Sequence, residues 1–166
     1  MARMGNARWV WLALAVVAAD QATKYAVENL TGQDFTRVII PGLLNLVHRH
    51  NPGVAFGLLA DAKSPWITAL LVLFSAGTMG VLMWMLAAGR AGGYRSQAGL
   101  ALILGGAAGN VIDRLIHGSV IDFIDFYLRT QHWPAFNLAD SAIVVGAGLV
   151  ILEVVADWRH RRSAKG

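Results

Sequence analysis

Two short stretches place acids in apolar company. "SVIDFIDFYL" (residues 119–128) holds Asp122 and Asp125, and "FNLADSAI" (136–143) holds Asp140. Two carboxylates held close together cannot both ionise cheaply, so they share a proton. One can then act as a general base on water while the other, protonated, polarises a carbonyl. Such a pair would need one acid from each stretch. On a strand, Asp122 and Asp125 point to opposite faces because side chains alternate with a period of two, so only one of them can meet Asp140. Asp140 has a simpler reading as well. Asn137, Asp140 and Ser141 lie three and four apart at the head of an apolar run, where Asn and Asp commonly cap a helix.

Other polar residues also sit inside apolar runs. A charge at mid-membrane costs about 2.5–3.5 kcal/mol, so each one demands a partner, a wet cavity or a job. Asp20 and Lys24 are four apart on one helical face, with the acid N-terminal to the base, which suits a neutralising pair. Asn110, Asp113, Arg114 and His117 follow i, i+3, i+4, i+7 and form one helical stripe that should face a bundle interior. Asn can bond a substrate backbone, and Arg can hold carbonyls. His48 and His50 in "VHRHN" would share a strand face as metal ligands, but no third ligand lies nearby in sequence and HExxH is absent, so no metal is expected. Ser64, Ser75, Ser119 and Ser141 lack a G-x-S-x-G setting. With no cysteine, thiol catalysis and disulfides are excluded. Ions in spans are also used by ion- or proton-coupled transporters, which remain the alternative, although four short spans without inverted repeats disfavour that class.

The elements that must position these residues are membrane helices. Of the 166 residues, 56% are hydrophobic and only 14% are charged, against about 25% charged in soluble domains, and mean hydropathy is +0.52. Apolar runs occur at Trp9–Ala19, Trp66–Ala88, Ala98–Ile116 and Leu138–Val155. About 20 residues cross a bilayer. The first run is of signal-peptide length, but "DQATKYAV" extends its helical pattern, so an uncleaved first span is expected. The expected spans are about 9–27, 66–88, 97–117 and 138–157, with loops about 28–65 and 118–137, in one domain over residues 1–166. Arg3, Arg8, Arg90, Arg95, Arg159, Arg161, Arg162 and Lys165 all fall on one side of this arrangement, which predicts cytoplasmic termini and outward loops. The basic charge then answers anionic lipid; no basic stripe interleaved with stacking aromatics points to nucleic acid. "FTRVIIPGLLNLVHRHN" reads as strand, turn at Pro41-Gly42, strand; "GVAFGLL" could pair with it, and "SVIDFIDFYL" also fits a strand. "LLADAKSPW" could hold a short interfacial helix. Gly105 and Gly109, four apart, and "VGAGL" are expected to let helices approach closely.

Four motifs in order, "DQATK" (20–24), "HNPGVAFG" (50–57), "GGAAGNVIDRLIHGSVIDFIDFY" (105–127) and "FNLADSAI" (136–143), resemble those of the bacterial lipoprotein signal peptidase family, signal peptidase II. The resemblance spans most of the chain. It implies an all-α membrane protein of four transmembrane helices with a small outward-facing β-cradle and a short interfacial helix over the site. It implies an aspartyl peptidase of the inner membrane that cuts diacylglyceryl-modified prolipoproteins before the lipid-modified cysteine. The dyad carries over to Asp122 in "VIDF" and Asp140 in "FNLAD", and the supporting residues to Asp20, Lys24, Asn51, Asn110, Arg114 and Asn137. Gly53 would relieve crowding in the Asn51-Pro52-Gly53 turn. The resemblance also implies inhibition by globomycin and no cofactor, and one chain is expected to contain a whole site, as a monomer.

Overall fold

The computed structural model describes residues 7–53 and 65–163. It contains helix α1 (Ala7–Leu30), strands β1 (Thr36–Ile40) and β2 (Leu44–Asn51), helices α2 (Pro65–Ala87) and α3 (Tyr94–His117), strands β3 (Val120–Leu128) and β4 (Gln131–His132), and helix α4 (Leu138–Ser163). The helices lie within a few residues of the expected spans, apart from α4, which runs on through its basic end. Pro65, which has no N–H to leave unsatisfied, starts α2. Gly118 stops α3: at φ 70° it turns left-handed, and its N–H donates to the Arg114 carbonyl. The possible strand at "GVAFGLL", Phe56, and most of the expected interfacial helix fall in residues 54–64, outside the described residues.

α3 is the centre of the bundle, and α1, α2 and α4 all pack on it. Small residues make this possible. Gly99 of α3 and Gly146 of α4 meet backbone to backbone, Gly105 lies on Ala13 of α1, and Gly106 lies on the Ala139 carbonyl of α4. Glycine is thus a contact surface on two sides of one helix, towards α1 and towards α4, as close packing in lipid requires. Gly148, in the "VGAGL" stretch, meets nothing within 4 Å and has no such role.

α2 buries only Ile67, while Leu70, Leu73, Phe74, Val81, Met83 and Trp84 stay exposed. An apolar surface that continuous suits lipid, not water. Among the described residues, α2, α3 and α4 are long and apolar enough to cross a membrane. α1 is 24 residues long but falls outside that group. The physical reason is its polar half: Asp20 and Lys24 are buried against the other helices rather than turned to lipid.

At one end of the bundle sits an antiparallel sheet in the order β1-β2-β3-β4. The turn between β1 and β2 holds Gly42 at φ 78°, whose N–H donates to the Tyr127 hydroxyl at 2.8 Å. β2 pairs with β3, Asn45 opposite Asp125 and Arg49 opposite Asp122, with a register shift between Leu46 and Arg49. Val27, Ile121 and Phe123 form a small core with Leu46, Ile124 and Leu138, which seats the sheet on α1 and α4. Asp122 and Asp125 have separate partners, in keeping with the opposite-face reading. Asp125 is buried, accepting from the Asn45 amide at 2.9 Å and lying 2.9 Å from His132 Nδ1. Burial pushes its pKa up, but these hydrogen bonds outweigh that and hold it below the usual carboxylate value. Asp125 therefore fastens the sheet.

Two outcomes follow for stability. A Cβ at Gly106 would collide with the Ala139 carbonyl and Ile143, so Gly106→Ala should cost about 1–3 kcal/mol through forced helix separation, while Gly148→Ala should stay within about 0.5 kcal/mol. Thermal unfolding in detergent measures both. Asp125→Ala strands its two partners and should cost about 1–3 kcal/mol, with Asp125→Asn milder because one acceptor remains. The wild-type advantage over Asp125→Ala should shrink as pH falls through the lowered carboxyl pKa, because protonation removes the charge that the hydrogen bonds favour. Denaturation of both proteins across acidic pH checks it.

Candidate active site

The site begins with a lysine that water cannot reach. Lys24 is 2% exposed, on the polar half of α1. Its ammonium has three protons to place, and three oxygens receive them: Asp20 Oδ2 at 2.8 Å, Asp113 Oδ2 at 2.8 Å and Asn110 Oδ1 at 3.1 Å. The i, i+4 spacing gives the first contact, and the α3 stripe supplies the other two. Each acid also holds a further element. Asp20 Oδ1 accepts from the Ala139 N–H in the first turn of α4, at 2.9 Å. Asp113 Oδ2 accepts from the Ile121 N–H in β3, at 3.1 Å. Gln21 closes the gap, donating to Asp113 Oδ1 at 2.8 Å and to the Gly109 carbonyl at 3.3 Å. Asp20 fits against α3 because residue 109 is glycine; a Cβ there would strike its carboxylate.

Lys24 fixes the amide of Asn110 by holding its oxygen. The Asn110 amino group is thereby turned to Asp140, donating to Oδ1 at 2.8 Å. Asp140 and Asn137 also cap α4 reciprocally. Asn137 Oδ1 accepts the Asp140 N–H at 3.0 Å, and Asp140 Oδ2 accepts the Asn137 N–H at 3.2 Å. This is a capping box with Asn and Asp in its two positions. With the Asn137 oxygen held by the cap, its amino group faces the sheet and donates to Asp122 Oδ1 at 2.8 Å. Asn137 thus touches both acids. The cap and site readings of Asp140 are therefore compatible.

Asn51 completes the surroundings of Asp122. It ends β2, and its Oδ1 accepts the Gly53 N–H at 3.0 Å across a turn. Its Nδ2 donates to Asp122 Oδ2 at 2.9 Å. Gly53 adopts φ 101°, which disfavours other residues, and a Cβ there would strike Leu71. Burial pushes the Asp122 pKa from 3.8 up to about 7; the hydrogen bond from Asn51 opposes this, the charge of Asp140 adds to it, and the Asn137 bond opposes it again. Arg114 is in electrostatic reach of Asp140, Asp122 and Asp113. Its Nη1 donates to the Asn110 carbonyl at 3.1 Å, and its buried Nε has no hydrogen-bond partner among the described residues. Asp122 and Asp140 thus lie on either side of Asn137, beside a cation whose Nε is an unused donor among the described residues.

The structure brings Asp20, Lys24, Asn51, Gly53, Asn110, Arg114, Asp122, Asn137 and Asp140 into one region. His117, the last residue of the α3 stripe, is exposed and makes none of these contacts. Gln21 was missed, although it stands inside "DQATK". Asp113 was read only as part of a polar seam; its place as second counter-ion to Lys24 depends on a contact between helices that spacing does not encode.

The model of the family described as signal peptidase (SPase) II matches residues 12–156. A lipoprotein signal peptidase of Solibacter usitatus is 43% identical over 159 residues, covering 95% of this chain and 97% of that protein. One from Aeromonas hydrophila is 42% identical over 146 residues, covering 88% and 87%. A bacterial membrane enzyme solved by the in meso method superposes with a TM-score of 0.78 at 28% identity, covering 93% of this chain and 90% of that one. Sequence and fold agree over nearly the whole length, and the chain belongs to the signal peptidase II family.

Proposed function

We propose that this protein is an aspartyl endopeptidase of the bacterial inner membrane. It removes signal peptides from diacylglyceryl-modified prolipoproteins, cutting just before the lipid-modified cysteine. Membership of the signal peptidase II family and the names of its relatives support the substrate class. The observation that carries the assignment of chemistry is Asn137, one residue bonded to both Asp122 and Asp140. With one proton shared between them, the ionised carboxylate takes a proton from water, and the hydroxyl attacks the scissile carbonyl. The protonated carboxyl donates to the carbonyl oxygen as charge develops on it. Collapse of the tetrahedral intermediate returns a proton to the leaving amine. Arg114 Nε supplies a donor for a substrate carbonyl. Asn110, Asn51 and Asn137 orient the acids, Gly53 shapes the turn beside Arg114, and Asp20 and Lys24 hold the scaffold.

In this reading, residues 1–166 form one domain that acts as a monomer, and α1 is a fourth span. Val10, Trp11 and Leu14 of α1 are exposed, as a lipid-facing surface would be, and its ions neutralise one another inside the bundle. Arg8, Arg90, Arg95, Arg159, Arg161 and Arg162 lie towards the ends of the helices away from the sheet, which favours cytoplasmic termini and a site at the outer membrane face. Signal helix and lipid chains would reach it from the bilayer, and water from outside. Globomycin would compete for the acid pair.

Asp122→Asn and Asp140→Asn should each lower prolipoprotein cleavage by about 10²–10⁴-fold while the protein still inserts in membranes. A gel-shift assay with purified variants, with and without globomycin, measures this; near-wild-type cleavage by either variant would overturn the assignment. The pH profile gives a second check. Cleavage needs one proton on the pair, so its rate should fall as pH rises through about 7. Stability has the same sign. The folded-state pKa of Asp122 lies above 3.8, so the folded chain holds the extra proton between about pH 4 and 7, and the contribution of this group to stability declines over that window. Cleavage rates and thermal unfolding from pH 5 to 9 test both.

A further inference from the structure

Where the last turns of α1 meet β2, three side chains outside the aspartate network converge. His48 and His50 share a face of β2, with ring centroids 5.2 Å apart. Glu28, one helical turn beyond Lys24, brings Oε2 to 3.3 Å from His48 Nε2 and 3.6 Å from His50 Nε2. The three donor atoms all lie within 4.8 Å of one another. Yet no hydrogen bond joins them: Glu28 Oε2 and His48 Nε2 are both buried and without a hydrogen-bond partner among the described residues. The His48 side chain is 2% exposed, so water cannot easily satisfy it.

The opposite side of each ring fixes its chemistry. The Thr31 hydroxyl donates its single proton to the Val27 carbonyl at 2.7 Å. His48 Nδ1, 3.1 Å from that hydroxyl oxygen, must therefore be the donor in their contact. In the neutral ring this leaves Nε2 without a proton, 3.3 Å from the Glu28 carboxylate oxygen and in no hydrogen bond with it. Two acceptors that close repel unless a cation, either a ring proton or a metal ion, joins them. His50 Nδ1 is likewise held, 3.1 Å from Ser119 Oγ. Imidazoles anchored through the far nitrogen are the usual support for metal ligation. Zinc bonds to nitrogen and oxygen of about 2.0–2.1 Å give tetrahedral edges of about 3.3 Å, near the two separations from Glu28. A surface groove of about 630 Å³, lined by Gln33, Asp34, Phe35, Thr36 and Arg49, reaches both histidines.

We propose that Glu28, His48 and His50 bind one divalent transition-metal ion, best matched by Zn²⁺, with Thr31 and Ser119 orienting the rings and a fourth position left to water. Two imidazoles and one carboxylate suit this class rather than Ca²⁺ or Mg²⁺, which prefer all-oxygen shells. The ion would staple the end of α1 to β2 just before Asn51. It takes no part in the aspartate chemistry, and the site stands whether or not that chemistry is as proposed.

The test uses full-length protein in detergent, purified through a histidine-free tag and stripped with chelator. Titration with Zn²⁺, and with Co²⁺ as a spectroscopic probe, should show one equivalent bound, tetrahedral Co²⁺ absorption and a raised Tm. His48→Ala and Glu28→Gln should lose this binding, Thr31→Val should weaken it about tenfold or more, and His160→Ala should leave it unchanged. Circular dichroism checks folding; should His48→Ala misfold, the partly exposed Glu28→Gln decides. Absence of stoichiometric binding by folded wild-type protein, or undiminished binding by Glu28→Gln, would overturn the proposal.

Discussion

The structure depends on a buried ammonium. Lys24 has given up water for three oxygens, and taking such an ion out of water costs several kcal/mol unless its geometry is nearly complete. Here it is complete, with each proton assigned to a different acceptor. Removing one member would leave uncompensated charge in an apolar bundle, a loss of about 3–5 kcal/mol in comparable buried pairs. That penalty ties four elements together. Asp20 reaches α4, Asp113 reaches β3, and Asn110 passes the constraint on to Asp140. Such a network specifies relative helix positions more sharply than apolar packing does, because oxygen and nitrogen must meet at fixed distance and angle while methyl groups tolerate sliding.

Asparagine is the second recurring device. Asn51, Asn110 and Asn137 each have the amide oxygen engaged, that of Asn110 by both Lys24 and Asn137, which turns the amino group onto a carboxylate. In two of the three the oxygen is held by a local backbone N–H, in a turn and in a helix cap. Ordinary chain-terminating chemistry thus orients two of the three amides, and the buried Lys24 orients the third. The setting also explains the elevated proton affinity of Asp122. Burial acts most strongly on it, and the two amide donors offset that only in part.

Much of this was legible in the residues. The apolar runs located all four helices to within a few residues at most ends, because length and hydropathy suffice for a helix that must satisfy its backbone internally. Pro41-Gly42 marked the hairpin, and the stripe in α3 identified its buried face. Pairing between residues remote in the chain is not encoded in local pattern. Asp125 reads in sequence only as the acid on the other strand face, and its partners Asn45 and His132, which make it a fastening of the sheet, are not visible there. His48 and His50 looked one ligand short, because Glu28 lies twenty residues earlier on another element.

Local periodicity, composition and turn chemistry suffice to say which segments are helical and which short stretches carry acids. The folded chain alone reveals that Asp122 meets Asn51 and Asn137, that Asp113 shares Lys24 with Asp20, that Gly99 lies on Gly146, and that Glu28 closes on two histidines. Each of these is a contact between residues far apart in the chain. Their partners are chosen by how helices cross and how strands register, and one residue of slip would exchange the faces.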